Sequence, residues 1–141
     1  MSTNATISIK TDEGIKSVYL HWDGGPLNAG EILIQNFTNE EKILELLSYG
    51  DISVLSEKIN PDDTLPHSFD ERQEDVCLFY ARDRGEDLEI HTFKTLKELL
   101  SEFGQQHNYL FRDGLWWHCE HYGKTHMKWD LLSNRIKEEE N

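Results

Sequence analysis

Apolar and polar positions alternate with period two near the start of the chain and again over about 108–119. Between them, helical spacing recurs on either side of two strand-like runs. In TISIKTDEGIKSVYLHW, Ile7 and Ile9 alternate with polar residues, Asp12-Glu13-Gly14 supplies a turn, and Val18 and Leu20 resume the alternation, which predicts a β-hairpin. The Gly24-Gly25-Pro26 run stops its second strand. Asn28 and Glu31 then have the spacing of a helix-capping box ahead of an apolar stripe of Ile32, Leu33 and Phe37. Thr38 and Glu41 repeat the device before Ile43, Leu46 and Leu47, and Gly50 closes that second helix. Val76–Ala81 is a nearly continuous apolar run and reads as a central strand; Arg82–Asp87 turns the chain, and Leu88–Phe93 reads as its return strand. Thr95 and Glu98 open a third helix carrying Leu96, Leu99, Leu100 and Phe103, which Gly104 ends. Asn108–Phe111 and Leu115–Cys119 flank Arg112-Asp113-Gly114, where Asp-Gly supplies the positive-φ turn of a second hairpin. A last helix from about Asp130 uses Leu131, Leu132 and Ile136. Its acidic end opposes the helix dipole, so the tail at about 137–141 is expected to fray.

These elements predict an α+β fold over residues 1–141: a single domain with a mainly antiparallel sheet and about four helices packed on one face. The length of 141 residues suits one sizeable core. No run approaches a membrane span, and the N-terminal residues have neither a basic nor an apolar signal region, so no membrane association and a cytoplasmic location are expected. Two cysteines, Cys77 and Cys119, are too few for a disulfide framework or an all-cysteine zinc site.

Charge changes the picture. The formal net charge is −13, and residues 51–89 hold twelve acids against four Lys or Arg. This disfavours direct nucleic-acid binding and favours a protein partner with a basic surface. The acids concentrate in a loop at about 60–75, where Asp62, Asp63, Asp70, Glu71, Glu74 and Asp75 form the expected partner-binding set.

Three constellations could carry chemistry. His21 and Asp23 lie two apart at a strand end, so imidazole and carboxylate can share a face. The plainer account turns Trp22 into the core and leaves His21 and Asp23 to the solvent or to a turn. In ARDRGED, Arg82 and Arg84 flank Asp83; two guanidiniums can grip a phosphate or carboxylate, or form surface ion pairs at a turn. Arg112, in the other charged turn, is a possible neighbour. WWHCEHYGKTH is the densest group of metal donors, but same-strand spacing pairs only His118 with Glu120 and Cys119 with His121. A zinc site would need His126, His21 or Cys77 as well. No metal and no cofactor are expected there, and the stretch is read as an exposed edge of a tryptophan-rich strand pair. Nucleophile, phosphate-loop and paired-cysteine motifs are absent from the sequence, which argues against an ordinary enzyme.

His21-Trp22-Asp23-Gly24, Gly30 to Leu33, Gly50-Asp51-Ile52-Ser53 and Arg82-Asp83-Arg84-Gly85-Glu86 follow one another in an order that resembles a group of small phage and prophage proteins. The resemblance covers about residues 7–90 and has a weaker echo in YLFRDGLWW; Gly25 stands where the group has an aromatic residue. It implies a viral origin and no particular reaction. Two functions follow as expectations. One is a phage-encoded accessory protein that binds and modulates or inhibits a host protein, such as a defence or nucleic-acid-handling factor, in the bacterial cytosol. The other is a small binder or hydrolase of a phosphorylated or nucleotide-like ligand, using His21, Asp23, Arg82, Asp83, Arg84 and Arg112.

Overall fold

In the computed structural model, which describes residues 2–121 and 128–140, the chain forms one sheet with helices on both of its faces. The strands are β1 (Ala5–Thr11), β2 (Gly14–Leu20), β3 (Ile52–Val54), β4 (Leu78–Phe79), β5 (His91–Phe93), β6 (His107–Arg112), β7 (Leu115–Glu120) and β8 (Asp130–Leu131). A π-helical turn, Pro26–Gly30, leads into α1 (Glu31–Asn36). It is followed in chain order by α2 (Glu40–Ser48), α3 (Tyr80–Arg84), α4 (Leu96–Glu102) and α5 (Leu132–Glu140). Among the described residues the sheet runs β4-β3-β2-β1-β6-β7-β8, and β5 pairs with the start of β2. Five of its pairings are antiparallel, and β1–β6 and β2–β3 are parallel. The expected α+β class and mainly antiparallel sheet are therefore present.

Alternation along the central strands creates two different faces. Ala5, Ile7 and Ile9 of β1 share a face with Val18 and Leu20 of β2 and with Tyr109 and Phe111 of β6. Against it pack Leu33 of α1, Ile43, Leu46 and Leu47 of α2, and Leu132 and Ile136 of α5, forming the main core. Two side-chain bonds fasten this layer: the Trp116 indole donates to the Phe37 carbonyl at 2.8 Å, and Tyr109 Oη donates to the Gly24 carbonyl at 2.6 Å.

The opposite face carries Thr6, Ser8, Ser17 and Asn108, all fully buried. Their polar atoms are paired within the sheet: Ser8 with Ser17 at 2.6 Å, and Thr6 Oγ1 donating to Asn108 Oδ1 at 2.8 Å. Beside them Ile15, its β5 register partner Phe93, and Leu110 make an apolar patch that Leu99 of α4 covers. Because Leu110 points away from Tyr109 and Phe111, α4 lies on this second face. The helices therefore do not all share the one face expected from the sequence.

Other boundaries differ for local reasons. Asn28 caps nothing; it lies inside the π-helical turn, and α1 begins after Gly30 without a side-chain cap. The cap of α2 is Asn39, which accepts from Lys42 N at 2.8 Å, one residue beyond the expected Thr38. Thr95 caps α4 as its spacing implied, accepting from Glu98 N at 3.1 Å. Val76–Ala81 yields only the two-residue β4 at the sheet edge, not a central strand, because the chain enters α3 at Tyr80. The return strand β5 pairs with β2 and not with β4. At the C-terminal end, α5 runs through Glu140, with Arg135 reaching Glu138 at 3.4 Å and Glu139 at 2.7 Å.

Candidate functional site

The His-Trp-Asp turn is first a device of the fold. Two backbone bonds, His21 N to Ile52 O and Trp22 N to Ser53 O, extend the β2–β3 pairing past the end of β2. The chain then reverses at Asp23, whose φ is +54°, and Gly24 N donates to Thr3 O at 2.9 Å. A Cβ at Gly24 would lie 2.8 Å from both Ala5 Cβ and Thr3 O, so only glycine fits this approach. Trp22 is corrected from the core to the surface: it is 45% exposed and packs edge-on against His21 at 4.6 Å. His21 Nδ1 shares a 2.8 Å hydrogen bond with Tyr19 Oη, while the Asp23 carboxylate makes no hydrogen bond among the described residues.

The Arg-Asp-Arg motif is not a hairpin turn but α3 itself. Asp83 Oδ2 accepts from Phe79 N at 2.8 Å, closing the first turn. Arg82 grips Asp83 through Nε and Nη2, at 3.0 and 3.2 Å, and donates to the Ile59 and Cys77 carbonyls at 2.7 and 3.0 Å. Its guanidinium also lies 4.7 Å over the Phe79 ring. With its donors directed inward, Arg82 ties α3 to the 56–77 segment and has little left for a ligand. Arg84 is more exposed; it bonds Glu86 at 2.8 Å and lies over the Phe69 and Tyr80 rings.

Arg112 belongs elsewhere. Register places His107 level with Ala5 and Leu20, and Arg112 five steps along β6, beside the β1–β2 turn. At about 3.3 Å per residue this puts it roughly 20 Å from His21. There it stacks over Trp117 and lines a separate cavity with Asp12 and Glu40. The six residues expected to surround one small ligand are not brought together.

The acidic segment is exposed at its carboxylates. Asp62, Asp63, Asp70, Glu71, Glu74 and Asp75 are all exposed, and among the described residues none forms an ion pair with Lys or Arg. Although the loop has little regular structure, it is pinned from inside. The Gln73 side chain accepts from Asp62 N at 2.8 Å and donates to the Asp62, Leu65 and Pro66 carbonyls. Gln73 N donates to His67 Nδ1 at 3.1 Å, which directs the other edge of that imidazole toward Asp83, 3.6 Å away. Two hydrogen bonds from Thr64 to the Asp62 carboxylate hold its pKa below the usual range.

Phe69 carries the loop to a cleft. Its ring packs 5.7 Å from Tyr80, and Tyr80 lines a cavity of about 560 Å³ with Tyr19, Asp51, Glu86, Asp87 and Glu89. Burial is the main cause that raises the Asp51 pKa, against a stabilising bond from Tyr19 N; burial likewise raises the Tyr19 phenol. Gly50, at φ +79°, lets Leu88 and Glu89 approach: a Cβ there would meet Leu88 Cδ1 at 2.8 Å and Glu89 O at 3.1 Å. Sequence reasoning missed Tyr19, Asp51 and Tyr80 as neighbours. The period-two relation of Tyr19 to His21 was visible, but the placement of Asp51 depends on the parallel β2–β3 pairing.

The histidine stretch is also corrected. His118 is not on an exposed edge: it is 2% exposed, beneath α5, and its Nε2 lies 2.9 Å from Nδ1 of His107. Burial, then the neighbouring His107, pushes the His118 pKa down to about 3; burial lowers His107 as well. Cys119 alternates to the other sheet face, and Cys77 bonds Ser56 far along the chain; burial raises both thiols to about 11. His126 lies outside the described residues. Among the described residues, no helix is long and apolar enough to cross a membrane. Compared with known proteins, the chain matches no protein family, no curated protein and no solved structure.

Proposed function

We propose that this chain is a phage-encoded, non-enzymatic accessory protein that docks a basic host protein and modulates or inhibits it. Host defence factors and nucleic-acid-handling proteins are the partner class, since surfaces shaped to meet DNA or RNA carry the positive charge this face would attract. One observation carries the reading: six exposed carboxylates without Lys or Arg partners stand on an internally pinned loop, and the Phe69–Tyr80 contact makes that loop continuous with the acidic cleft. A pinned loop loses little conformational freedom on binding, so its charge can act as a preformed surface. No observation favours the phosphorylated-ligand reading, because Arg82 is occupied within the fold and Arg112 stands at the other end of the sheet.

The test separates place from quantity of charge. An arginine-rich peptide serves as probe for three proteins: the native chain, a variant with Asp62, Asp63, Asp70, Glu71, Glu74 and Asp75 changed to amides, and a control with Asp12, Glu13, Glu40, Glu41, Glu102 and Asp113 changed likewise. The reading expects the loop variant to bind at least about ten-fold more weakly and the control to stay near native, with the native affinity falling as salt rises. Equal weakening of both variants would reduce the effect to net charge and remove the proposed face. Affinity capture from host lysate with the same three proteins then identifies the partner.

A further inference from the structure

Beneath α5 the hairpin gathers a donor set independent of the acidic face. The two-residue turn at Asp113-Gly114 fixes the β6–β7 register, placing His107 opposite Glu120 and Tyr109 opposite His118. His107, His118 and Glu120 therefore project from one sheet face, and one ligand atom from each lies within 4.8 Å of the others. The two imidazole nitrogens are already 2.9 Å apart. Donors bound tetrahedrally at about 2.1 Å are separated by roughly 3.4 Å, so this pair needs little adjustment and the carboxylate must close the remaining gap. A cavity of about 240 Å³ adjoins the group and is lined by His118, Glu120, Lys128, Asp130 and Arg135. Asp130, the register partner of His118 on β8, is exposed at the mouth of this cavity and pairs with Lys128 at 3.6 Å, outside the three-donor group, so a fourth position would be left to water.

Arg135 accounts for the charge balance without a metal. Its guanidinium bonds Glu120 and at the same time reaches Glu138 and Glu139 of its own helix, and its buried Nε has no partner among the described residues. A divalent cation would take Glu120 from Arg135, which keeps its pairs with those two helical carboxylates. We propose that His107, His118 and Glu120 form a zinc(II) site, with Arg135 as the cation that occupies its place when it is empty. Two imidazoles and one carboxylate with a further open position match zinc in donor type and number. Bound there, zinc joins β6 and β7 directly and replaces the Arg135–Glu120 link between α5 and β7, leaving Arg135 with its partners in α5.

Equilibrium dialysis and calorimetry of tag-free, chelator-treated full-length protein with zinc alone provide the test, with cobalt(II) substitution reporting the donor set. The expected result is saturable uptake of one zinc per chain, visible cobalt bands of a four-coordinate site, and affinity lowered at least about ten-fold in His107→Gln and Glu120→Gln. Arg135→Ala should bind several-fold more tightly, since it removes the competing cation. Glu120 is the least buried ligand, so Glu120→Gln keeps the test valid if a histidine variant fails to fold. Absence of saturable uptake by both the native chain and Arg135→Ala overturns the proposal and leaves a neutral, hydrogen-bonded histidine pair. Undiminished uptake by His107→Gln and Glu120→Gln overturns it equally, by placing the metal elsewhere.

Discussion

The rings of Phe69 and Tyr80 lie 5.7 Å apart, so the middle of the acidic loop rests on the first residue of α3. Aromatic pairs of this kind contribute about 1 kcal/mol beyond their buried area. Phe69→Ala leaves the net charge unchanged yet frees the loop from the cleft. Trypsin should cut after Arg72, inside the loop, several-fold faster than in the native chain, and affinity for an arginine-rich peptide should fall. An unchanged cleavage rate at Arg72 would show that the contact does not hold the loop.

Arg82 and Arg84 are two residues apart and should respond very differently to truncation. Arg82→Ala removes a paired grip on Asp83 and two bonds to main-chain carbonyls, leaving Asp83 and the Ile59 and Cys77 carbonyls short of partners. A loss of roughly 3 kcal/mol is expected, with Arg82→Lys recovering only part, since an ammonium cannot reproduce the planar fork. Arg84 is half-exposed, and its pair with Glu86 should contribute at most about 1 kcal/mol. Urea unfolding of the three variants measures both; equal losses would contradict the structural role given to Arg82.

Asn108 fills its whole hydrogen-bonding capacity inside the sheet. Its Oδ1 accepts from Thr6 Oγ1 at 2.8 Å and Gln105 N at 3.0 Å, and its Nδ2 donates to the Gln105 and Cys119 carbonyls at 2.9 and 3.1 Å. Asn108→Leu keeps the volume but strands the buried Thr6 hydroxyl and Cys119 carbonyl and the half-buried main chain of Gln105, at a cost of about 3 kcal/mol. Asn108→Asp should lose much of this too, because the two carbonyl acceptors would then face a carboxylate. Thermal unfolding checks both, and a neutral Asn108→Leu would mean that solvent reaches this face.

Sequence periodicity revealed the elements whose partners are local and concealed those whose partners are distant. Both hairpins, α2 and α4 were legible because each is specified within a dozen or so residues by alternation, a turn and a cap. The parallel β1–β6 pairing joins segments about a hundred residues apart and left no local sign. The same distance effect misassigned β5, whose apolar residues fit β2 as well as any nearer strand. ARDRGED was legible as charged but not as inward-facing, since nothing local shows that Ile59 and Cys77 offer it their carbonyls. His107 could have been found: counting back from Asp113-Gly114 in hairpin register places it opposite Glu120 and diagonal to His118. Starting that strand one residue late, at Asn108, hid it.

The buried histidine pair gives the metal-free fold a pH signature. An unfolded chain protonates His118 near its ordinary value of 6.5, whereas burial and His107 hold the folded group down to about 3. Between those values the unfolded state binds more protons, so stability decreases as the pH falls through this range and is insensitive to this residue above it. The slope from His118 alone is at most about 1.4 kcal/mol per pH unit, and His107, lowered in the same direction, adds to it. Carboxylates contribute to acid unfolding as well, so the diagnostic quantity is the difference between the native chain and His118→Gln. Urea midpoints measured with chelator at pH 7.5, 6.0 and 5.0 should converge as the pH falls, because only the native chain loses the His118 contribution. Parallel midpoints across that series would mean that the two imidazoles accept protons in the folded state as readily as in water.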